Sequence, residues 1–191
     1  MANVYYNVMM VSQGHSPVCW LACAAMIIQH KRHYTPSAAQ LGQLADDFRL
    51  ASVPAIADYA GALRRLGFAV THASGIHDPH ALTMRHSARP SPGVGLSATP
   101  DGDVILALLQ NYGPFMLNHM VGSFWYGPGF TLPAVHAAHA VVVTGIDTGT
   151  NTVYFNNPWG IRDVPTTTSS VVHAIRRYDR AGQYSIAYLP D

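Results

Sequence analysis

Residues 13–26, reading QGHSPVCWLACAAM, constrain this chain more than any other segment. A turn containing Pro17 precedes Cys19, and the sequence from Cys19 to His33 contains neither Gly nor Pro. Its first three turns are apolar on all sides, which predicts a buried helix over residues 19–33. A thiol in the first helical turn lies beside unpaired backbone N–H groups, which favour the thiolate. The segment therefore predicts either a reactive cysteine or a small buried apolar residue, and both interpretations stay open here.

The length of 191 residues predicts one domain, residues 1–191, with a helical half over about 13–110 and a strand half over about 113–191. Charged residues make up 11% and the net charge is +1, so nothing in the composition indicates a nucleic-acid partner or an anionic membrane surface. The one short basic cluster, Lys31-Arg32-His33, ends the predicted helix, where cations are favourable anyway.

The first residues lack a basic region followed by an apolar core, so we expect no classical signal peptide. No apolar run reaches the roughly 18–20 residues that a membrane span needs. Cys19 and Cys23 are the only cysteines, and two cysteines four apart on one helix are poorly oriented to form a disulfide. A fold without disulfides fits a reducing compartment such as the cytoplasm.

Eleven histidines raise the question of a metal site. Three pairs have i, i+3 spacing: His30/His33, His77/His80 and His136/His139. Neither HExxH nor a paired CxxC is present, so we expect no metal and no other cofactor.

Beyond the first helix, the pattern predicts helices early and strands late, which is an α+β arrangement. We expect further helices over residues 35–48, 54–67, 101–110 and 169–177. We expect extended segments or strands over residues 4–12, 68–71, 115–120, 139–146, 152–156 and 184–189. Residues 73–100 have no period and predict an irregular surface segment.

A cysteine nucleophile needs a nearby base and a third group that orients that base. His139 opens a predicted strand whose hairpin partner ends at Asn157, so these side chains can reach each other. The Asn157 carbonyl would fix the tautomer of the imidazole, and Trp159 would shield the hydrogen bond from water. His136 ranks second as base, and Asn156 is the alternative to Asn157.

Gln13 completes the group as a candidate donor to an oxyanion. Its amide and the backbone N–H of Cys19 can converge on one oxygen if the intervening turn folds back. Donors of this kind lower the barrier of acyl transfer by about 3–4 kcal/mol. Each residue alone has an ordinary structural explanation, but the four in this order indicate a thiol-dependent site.

These motifs resemble those of the papain-fold cysteine peptidases. They are Gln13, Cys19-Trp20, His139-Ala140-Val141 and Asn157-Pro158-Trp159-Gly160. The closer similarity is to the compact bacterial AvrRpt2-like and C39-like branch, whose pattern includes a strand preceded by Gly-Pro, as at Gly113-Pro114. The similarity covers roughly residues 12–160, and residues 50–100 match no motif. The resemblance implies an α+β, papain-like fold in which a central nucleophile helix packs on an antiparallel sheet. It also implies that Cys19 is the nucleophile, His139 the base, Asn157 the orienting residue and Gln13 the oxyanion donor.

Two positions depart from the family pattern. Ser16 stands where the secreted plant and lysosomal enzymes have a disulfide-bonded cysteine, which agrees with a reducing compartment. Asn157 stands where the compact bacterial branch often has Asp, and an asparagine still orients a histidine.

The resemblance predicts a cysteine peptidase acting on a protein or peptide substrate. A papain-fold amidase or acyltransferase and a catalytically spent peptide-binding module are the alternatives, although this chain keeps both Cys19 and His139. Because the compact branch includes proteins that bacteria deliver into other cells, an effector role fits as well as a cytoplasmic housekeeping role. An effector would use a dedicated secretion system and have an inhibitor or immunity protein as partner.

The substrate pocket is expected beside the nucleophile. Its candidate residues, mostly uncharged side chains before His139 and aromatic side chains nearby, are Trp20, Trp125, Leu132, Pro133, Ala134, Val135, Ala138 and Trp159. The Gly- and Pro-framed loop over residues 123–130 is a candidate flap. Such a pocket would prefer an aliphatic or aromatic residue second upstream of the scissile bond, since an unpaired buried charge costs several kcal/mol. The alternative is that these residues only pack on the core.

Overall fold

Seven strands form one antiparallel sheet in the part of the chain that the structure describes. This computed structural model describes residues 3–14, 19–33, 56–71, 100–122, 125–129, 138–179 and 184–190. The strands are β1 (Asn3–Tyr5), β2 (Ala69–Thr71), β3 (Phe115–Met120), β4 (Ala138–Asp147), β5 (Thr152–Asn157), β6 (Ile161–Thr167) and β7 (Ile186–Tyr188). Their order across the sheet is β2-β7-β3-β4-β5-β6, and β1 also pairs with β4.

Four helices accompany this sheet within the described residues. They are α1 (Cys19–Arg32), α2 (Ile56–Arg65), α3 (Pro100–Tyr112) and α4 (Thr168–Asp179). This arrangement confirms the α+β class and is consistent with a papain-like peptidase fold. None of these helices combines the length and the apolar character that crossing a membrane would require.

The two faces of the central strands pack against different helices. Because side chains alternate along a strand, Val141 and Val143 join the core cluster that contains Ile105 of α3 and Ile175 of α4. Ala140 and Val142, on the other face, join the cluster that contains α1. Strand β4 is therefore buried on both faces, and α1 lies along one of them.

Helix α1 confirms the prediction of a buried helix. All residues from Trp20 to Ile28 are buried, and the alanines among them allow the helix to approach the sheet closely. His33, in the left-handed conformation with φ of 52°, follows its last turn. Cys19 is thus carried to the sheet by the most buried helix of the described structure.

Most predicted elements match those observed. Helix α2, strand β3, the β4–β5 hairpin and helix α4 all lie where the pattern put them, and Gly67 follows α2 with φ of 91°. The extended segment predicted from residue 4 contains a regular strand only over Asn3–Tyr5. The helix predicted over residues 35–48 and the irregular segment over 73–99 lie outside the described residues, and the single-domain prediction stays a prediction.

Two predictions from the sequence are corrected: the bounds of one helix, and the omission of one strand. Helix α3 begins at Pro100 and continues to Tyr112, because Pro is well suited to a first helical turn and neither Gly nor Pro occurs between Gly102 and Gly113. Strand β6 was not predicted at all. Its sequence IRDVPTT contains a proline and only one buried residue, Val164, which is possible because β6 is the last strand of the described sheet.

Gly145 allows the N-terminal strand to lie against β4. A Cβ atom at this position would come within 2.8 Å of the Val4 carbonyl oxygen and of the Tyr5 ring. The β4–β5 register also shifts between Val143 and Gly145. The chain then continues from β1 along the sheet, where the amide of Asn156 donates to the Val8 carbonyl at 3.1 Å, and on to Gln13.

Candidate active site

Cys19 begins α1 and lies beside β4. The backbone N–H groups of Ala140, Trp20 and Cys19 itself face the thiol and stabilise its thiolate. Burial has the larger effect, so the pKa of the Cys19 thiol is raised above its ordinary value, although the residue is only partly buried. From the sequence we expect the helix start to stabilise the thiolate. In the structure, burial raises the pKa of the thiol more than the backbone N–H groups lower it. The resting thiol is therefore protonated.

His139 and Asn157 form a buried hydrogen-bonded pair. The Nε2 atom of His139 lies 3.0 Å from Oδ1 of Asn157, and the two residues are 6% and 0% exposed. The Asn157 amide donates to the Tyr126 carbonyl at 3.0 Å, and the Trp159 N–H donates to Oδ1 at 3.2 Å. These partners fix the orientation of the amide, so Nε2 of His139 carries the proton and Nδ1 keeps its lone pair.

Burial also determines the charge of His139. It lowers the pKa of His139 to about 4, and the hydrogen bond to Asn157 opposes this shift only in part. At neutral pH the imidazole is therefore uncharged, with Nδ1 able to accept a proton.

Asn156, the alternative orienting residue, is held elsewhere. Its amide donates to Val8, and its Oδ1 accepts the backbone N–H of Asp163 at 3.1 Å. Asn156 thus connects the N-terminal segment to β6. His136, the alternative base, lies outside the described residues.

Gln13 is next to the turn that follows Asn157. Its backbone N–H donates to the Pro158 carbonyl at 2.8 Å, and the Gly160 N–H donates to the Asn157 carbonyl at 3.0 Å. Residues 15–18, which link Gln13 to Cys19, lie outside the described residues, so the oxyanion role of the Gln13 amide stays a prediction. What the structure brings together is the Gln13 backbone, the Asn157 turn, His139 and the strand position that faces Cys19.

Comparison with known proteins identifies the family. Residues 5–186 match the Peptidase_C39 like family. The chain belongs to this family. The match supports cysteine peptidase activity in general, and a peptidase family implies protein or peptide substrates. It supports the C39-like resemblance but not the AvrRpt2-like branch, and a search of curated proteins gave no match.

The predicted pocket residues of this C39-like chain differ in exposure. Trp125 and Trp159 are 59% and 42% exposed, and Ala138 is exposed as well, so these three are accessible to a ligand. Trp20 is buried in the core cluster around α1, which favours its packing role. Pro133, Ala134 and Val135, together with Leu132, lie outside the described residues.

Two further residues contact the C39-like site: Tyr126, which the sequence placed only in the candidate flap, and His119, which the sequence did not single out. Tyr126 is 2% exposed, and its ring lies edge-on to His139 with centroids 5.7 Å apart. His119 is completely buried and hydrogen-bonds to Tyr126. The shielding of the His139–Asn157 hydrogen bond by the Trp159 ring stays a prediction, and the buried Tyr126 ring also lies beside His139. The only sequence signal was a histidine within a predicted strand.

Among the described residues, no group of three or more His, Cys, Asp or Glu side chains is arranged to hold a metal ion.

The two buried histidines make the stability of the C39-like chain sensitive to acid. The pKa values of His119 and His139 are lowered by burial to about 3 and about 4. In the unfolded chain both imidazoles take up protons below about pH 6.5, so the free energy of unfolding falls as the pH drops from there towards 4. Between pH 6.5 and 4.5 each histidine should cost up to about 3 kcal/mol.

Urea unfolding of the wild type and His119→Gln at pH 7 and pH 4.5 measures this effect. The glutamine variant lacks one titrating group, so it should lose about 3 kcal/mol less than the wild type over this interval. An equal loss in both proteins would show that His119 is not held neutral.

Proposed function

We propose that the protein is a cysteine peptidase that uses Cys19 as nucleophile, His139 as base, Asn157 as orienting residue and Gln13 as oxyanion donor. The observation that carries the proposal is the buried hydrogen bond between His139 and Asn157. His139 directly precedes Ala140, whose backbone N–H faces the Cys19 thiol. Membership of a cysteine peptidase family supports the same chemistry.

In the proposed reaction the Cys19 sulfur attacks the scissile carbonyl carbon as its proton passes to Nδ1 of His139. Burial favours the uncharged thiol and the uncharged imidazole before substrate binds. The Gln13 amide and the Cys19 N–H donate to the oxyanion. The imidazolium gives its proton to the leaving amine, and water activated by His139 then hydrolyses the thioester.

Asn157 has the role of holding His139 in the productive tautomer. Its amide cannot rotate without losing the hydrogen bonds to Tyr126 and Trp159. An uncharged asparagine stabilises the imidazolium less than an aspartate would, and here the hydrogen bonds to Tyr126 and Trp159 keep its oxygen directed at His139.

Cleavage of a denatured proteome tests the proposal. The wild type and Cys19→Ala are incubated with the same mixture, and new peptide N-termini are identified by mass spectrometry. We expect termini that appear only with the wild type. A wild-type protein that generates no Cys19-dependent termini, but cleaves an amide bond in peptidoglycan or transfers an acyl group to an added amine, would be the alternative amidase or acyltransferase.

The exposed aromatic residues beside the site lead to a prediction about specificity. Trp125 directly precedes Tyr126, and the backbone N–H of Trp159 donates to Asn157, so both exposed and uncharged indoles belong to segments that contact the proposed catalytic pair. We expect peptides with an aliphatic or aromatic residue second upstream of the scissile bond to be cleaved at least about tenfold faster than those with Arg or Asp.

A peptide library varied at that position measures kcat/KM for each residue. Trp125→Ala and Trp159→Ala should reduce the preference without abolishing turnover. A preference for Arg or Asp would refute the pocket assignment and leave the core-packing alternative.

The effector role also belongs to the proposal and rests on the resemblance alone. It includes delivery by a dedicated secretion system, and an inhibitor or immunity protein as partner.

A further inference from the structure

His119 lies directly opposite His139 in the sheet. The two residues are paired across β3 and β4, and their rings meet edge-on with centroids 6.0 Å apart. His119 is 0% exposed, and burying an imidazole is costly unless its nitrogens have hydrogen-bond partners. A histidine beside the His139 ring is therefore expected to have a role other than packing.

The hydrogen bonds of His119 determine its tautomer. Nδ1 lies 3.4 Å from the Leu117 carbonyl oxygen, which can only accept, so Nδ1 carries the proton. Nε2 then accepts the hydroxyl proton of Tyr126 at 2.8 Å, and the two rings lie nearly parallel, 13° apart. Because burial lowers the pKa of His119 to about 3, Nε2 stays an acceptor throughout the physiological range.

Tyr126 contacts the proposed catalytic pair at two points. Its ring lies edge-on to His139, and its backbone carbonyl accepts the Asn157 amide at 3.0 Å. Just after it, Gly127 has φ of 99°, and a Cβ atom there would come within 2.8 Å of the Ile161 side chain. The backbone at Tyr126 is thus held against β6 on one side, and its hydroxyl is held by His119 on the other.

We propose that His119 and Tyr126 are positioning residues that hold Asn157 and the His139 imidazole in place. The inference rests on the proposed function, because positioning matters only if His139 is the base. Neither residue touches the substrate in this account. A purely structural role would require only that the two rings fill space, which phenylalanine at position 126 would do equally well.

The central test is Tyr126→Phe, which removes the hydroxyl and keeps the ring. Tyr6→Phe is the matched control, because the Tyr6 hydroxyl also donates a 2.8 Å hydrogen bond, to the Leu109 carbonyl. The backbone N–H of Tyr6 donates to the Thr144 carbonyl, and Thr144 lies five residues after His139 in β4, so this control is away from the proposed base. Both variants lose one hydrogen bond, and the larger fall in melting temperature is expected for Tyr126→Phe, because the His119–Tyr126 bond is buried and the Tyr6–Leu109 bond is only partly buried. Only Tyr126→Phe should lower kcat, by about tenfold, with KM unchanged within about twofold.

A second pair of variants tests His119. His119→Gln places an amide near the Nε2 position and can still accept the Tyr126 hydroxyl, whereas His119→Leu cannot. We expect His119→Gln to keep kcat within about threefold of the wild type and His119→Leu to match Tyr126→Phe. Equal activity of the glutamine and leucine variants would overturn the proposal.

The pH profile gives a readout that a loss of stability alone would not move. The side chains in contact with His139 are His119, Tyr126 and Asn157, and the Cys19 thiol lies beside the N–H of the next residue, Ala140. Loosening Tyr126 admits water, so the pKa of His139 should rise by about one unit, and the acid limb of kcat/KM should move up with it.

Titration of His139 by ¹⁵N NMR, assigned with His139→Gln, separates the two claims. It needs no substrate, so a shift in Tyr126→Phe but not in Tyr6→Phe supports the inference even if the protein cleaves no peptide. If the protein is a peptidase and Tyr126→Phe matches Tyr6→Phe in kcat and in the His139 titration, the inference fails and the proposed function stands.

Discussion

Replacement of His139 by alanine should lower kcat/KM by about 10³–10⁴-fold, because it removes the proposed base that takes the Cys19 proton. Asn157→Ala should lose less, about 10–100-fold, because only the orientation of the imidazole and the stabilisation of its cation are removed. In the wild type the acid limb of kcat/KM should lie near pH 4, because burial lowers the pKa of His139 to about 4 and the base must be unprotonated. Initial rates from pH 3.5 to 8 measure all three quantities.

Asn156→Ala and His136→Ala are the controls for these variants. Asn156 makes one buried and one partly buried hydrogen bond to backbone groups, so its replacement should lower the free energy of unfolding by about 2–3 kcal/mol while the folded protein keeps its turnover. His136→Ala should have little effect on either quantity. If it matches His139→Ala in a fully folded protein, the base has been assigned to the wrong histidine.

The two cysteines of α1 should behave in opposite ways. Cys19→Ala should abolish turnover, whereas Cys23→Ala, the same change one helical turn further on, should keep it. Iodoacetamide should label Cys19 at least about a hundredfold faster, because Cys23 is 0% exposed and burial raises the pKa of its thiol well above that of an ordinary cysteine. Because burial also raises the pKa of Cys19, its labelling rate should still be rising at pH 9.

Mass spectrometry after a brief exposure at several pH values measures both labelling rates. Preferential labelling of Cys23 would contradict the assignment of the nucleophile. A labelling rate of Cys19 that is already constant at pH 6 would instead show a lowered pKa, as the position at the helix start alone predicts.

Local patterns predicted the elements that carry the site. Helix α1 was predictable because its sequence has no breaker and is apolar on all sides, and the His139–Asn157 pair because a short hairpin brings its own ends together. Strand β6 was missed because an edge strand with a proline and one buried residue has no alternating pattern.

The remaining features depend on contacts between distant parts of the chain. The choice between Asn156 and Asn157 follows from the partners of each amide, Val8 for one and Tyr126 for the other, which no local pattern specifies. The position of His119 opposite His139 follows from the β3–β4 register. The raised pKa of Cys19 follows from the sheet that buries the helix start, whereas the sequence revealed only the helix.

Trapping the acyl intermediate tests the nucleophile most directly. A peptide ester is mixed with the protein, the reaction is quenched in acid during turnover, and fragmentation mass spectrometry locates any acyl group. The account predicts a thioester on Cys19 in the wild type and in Cys23→Ala, and none in Cys19→Ala. Turnover of the ester with an adduct on another residue, or continued turnover by Cys19→Ala, would contradict it.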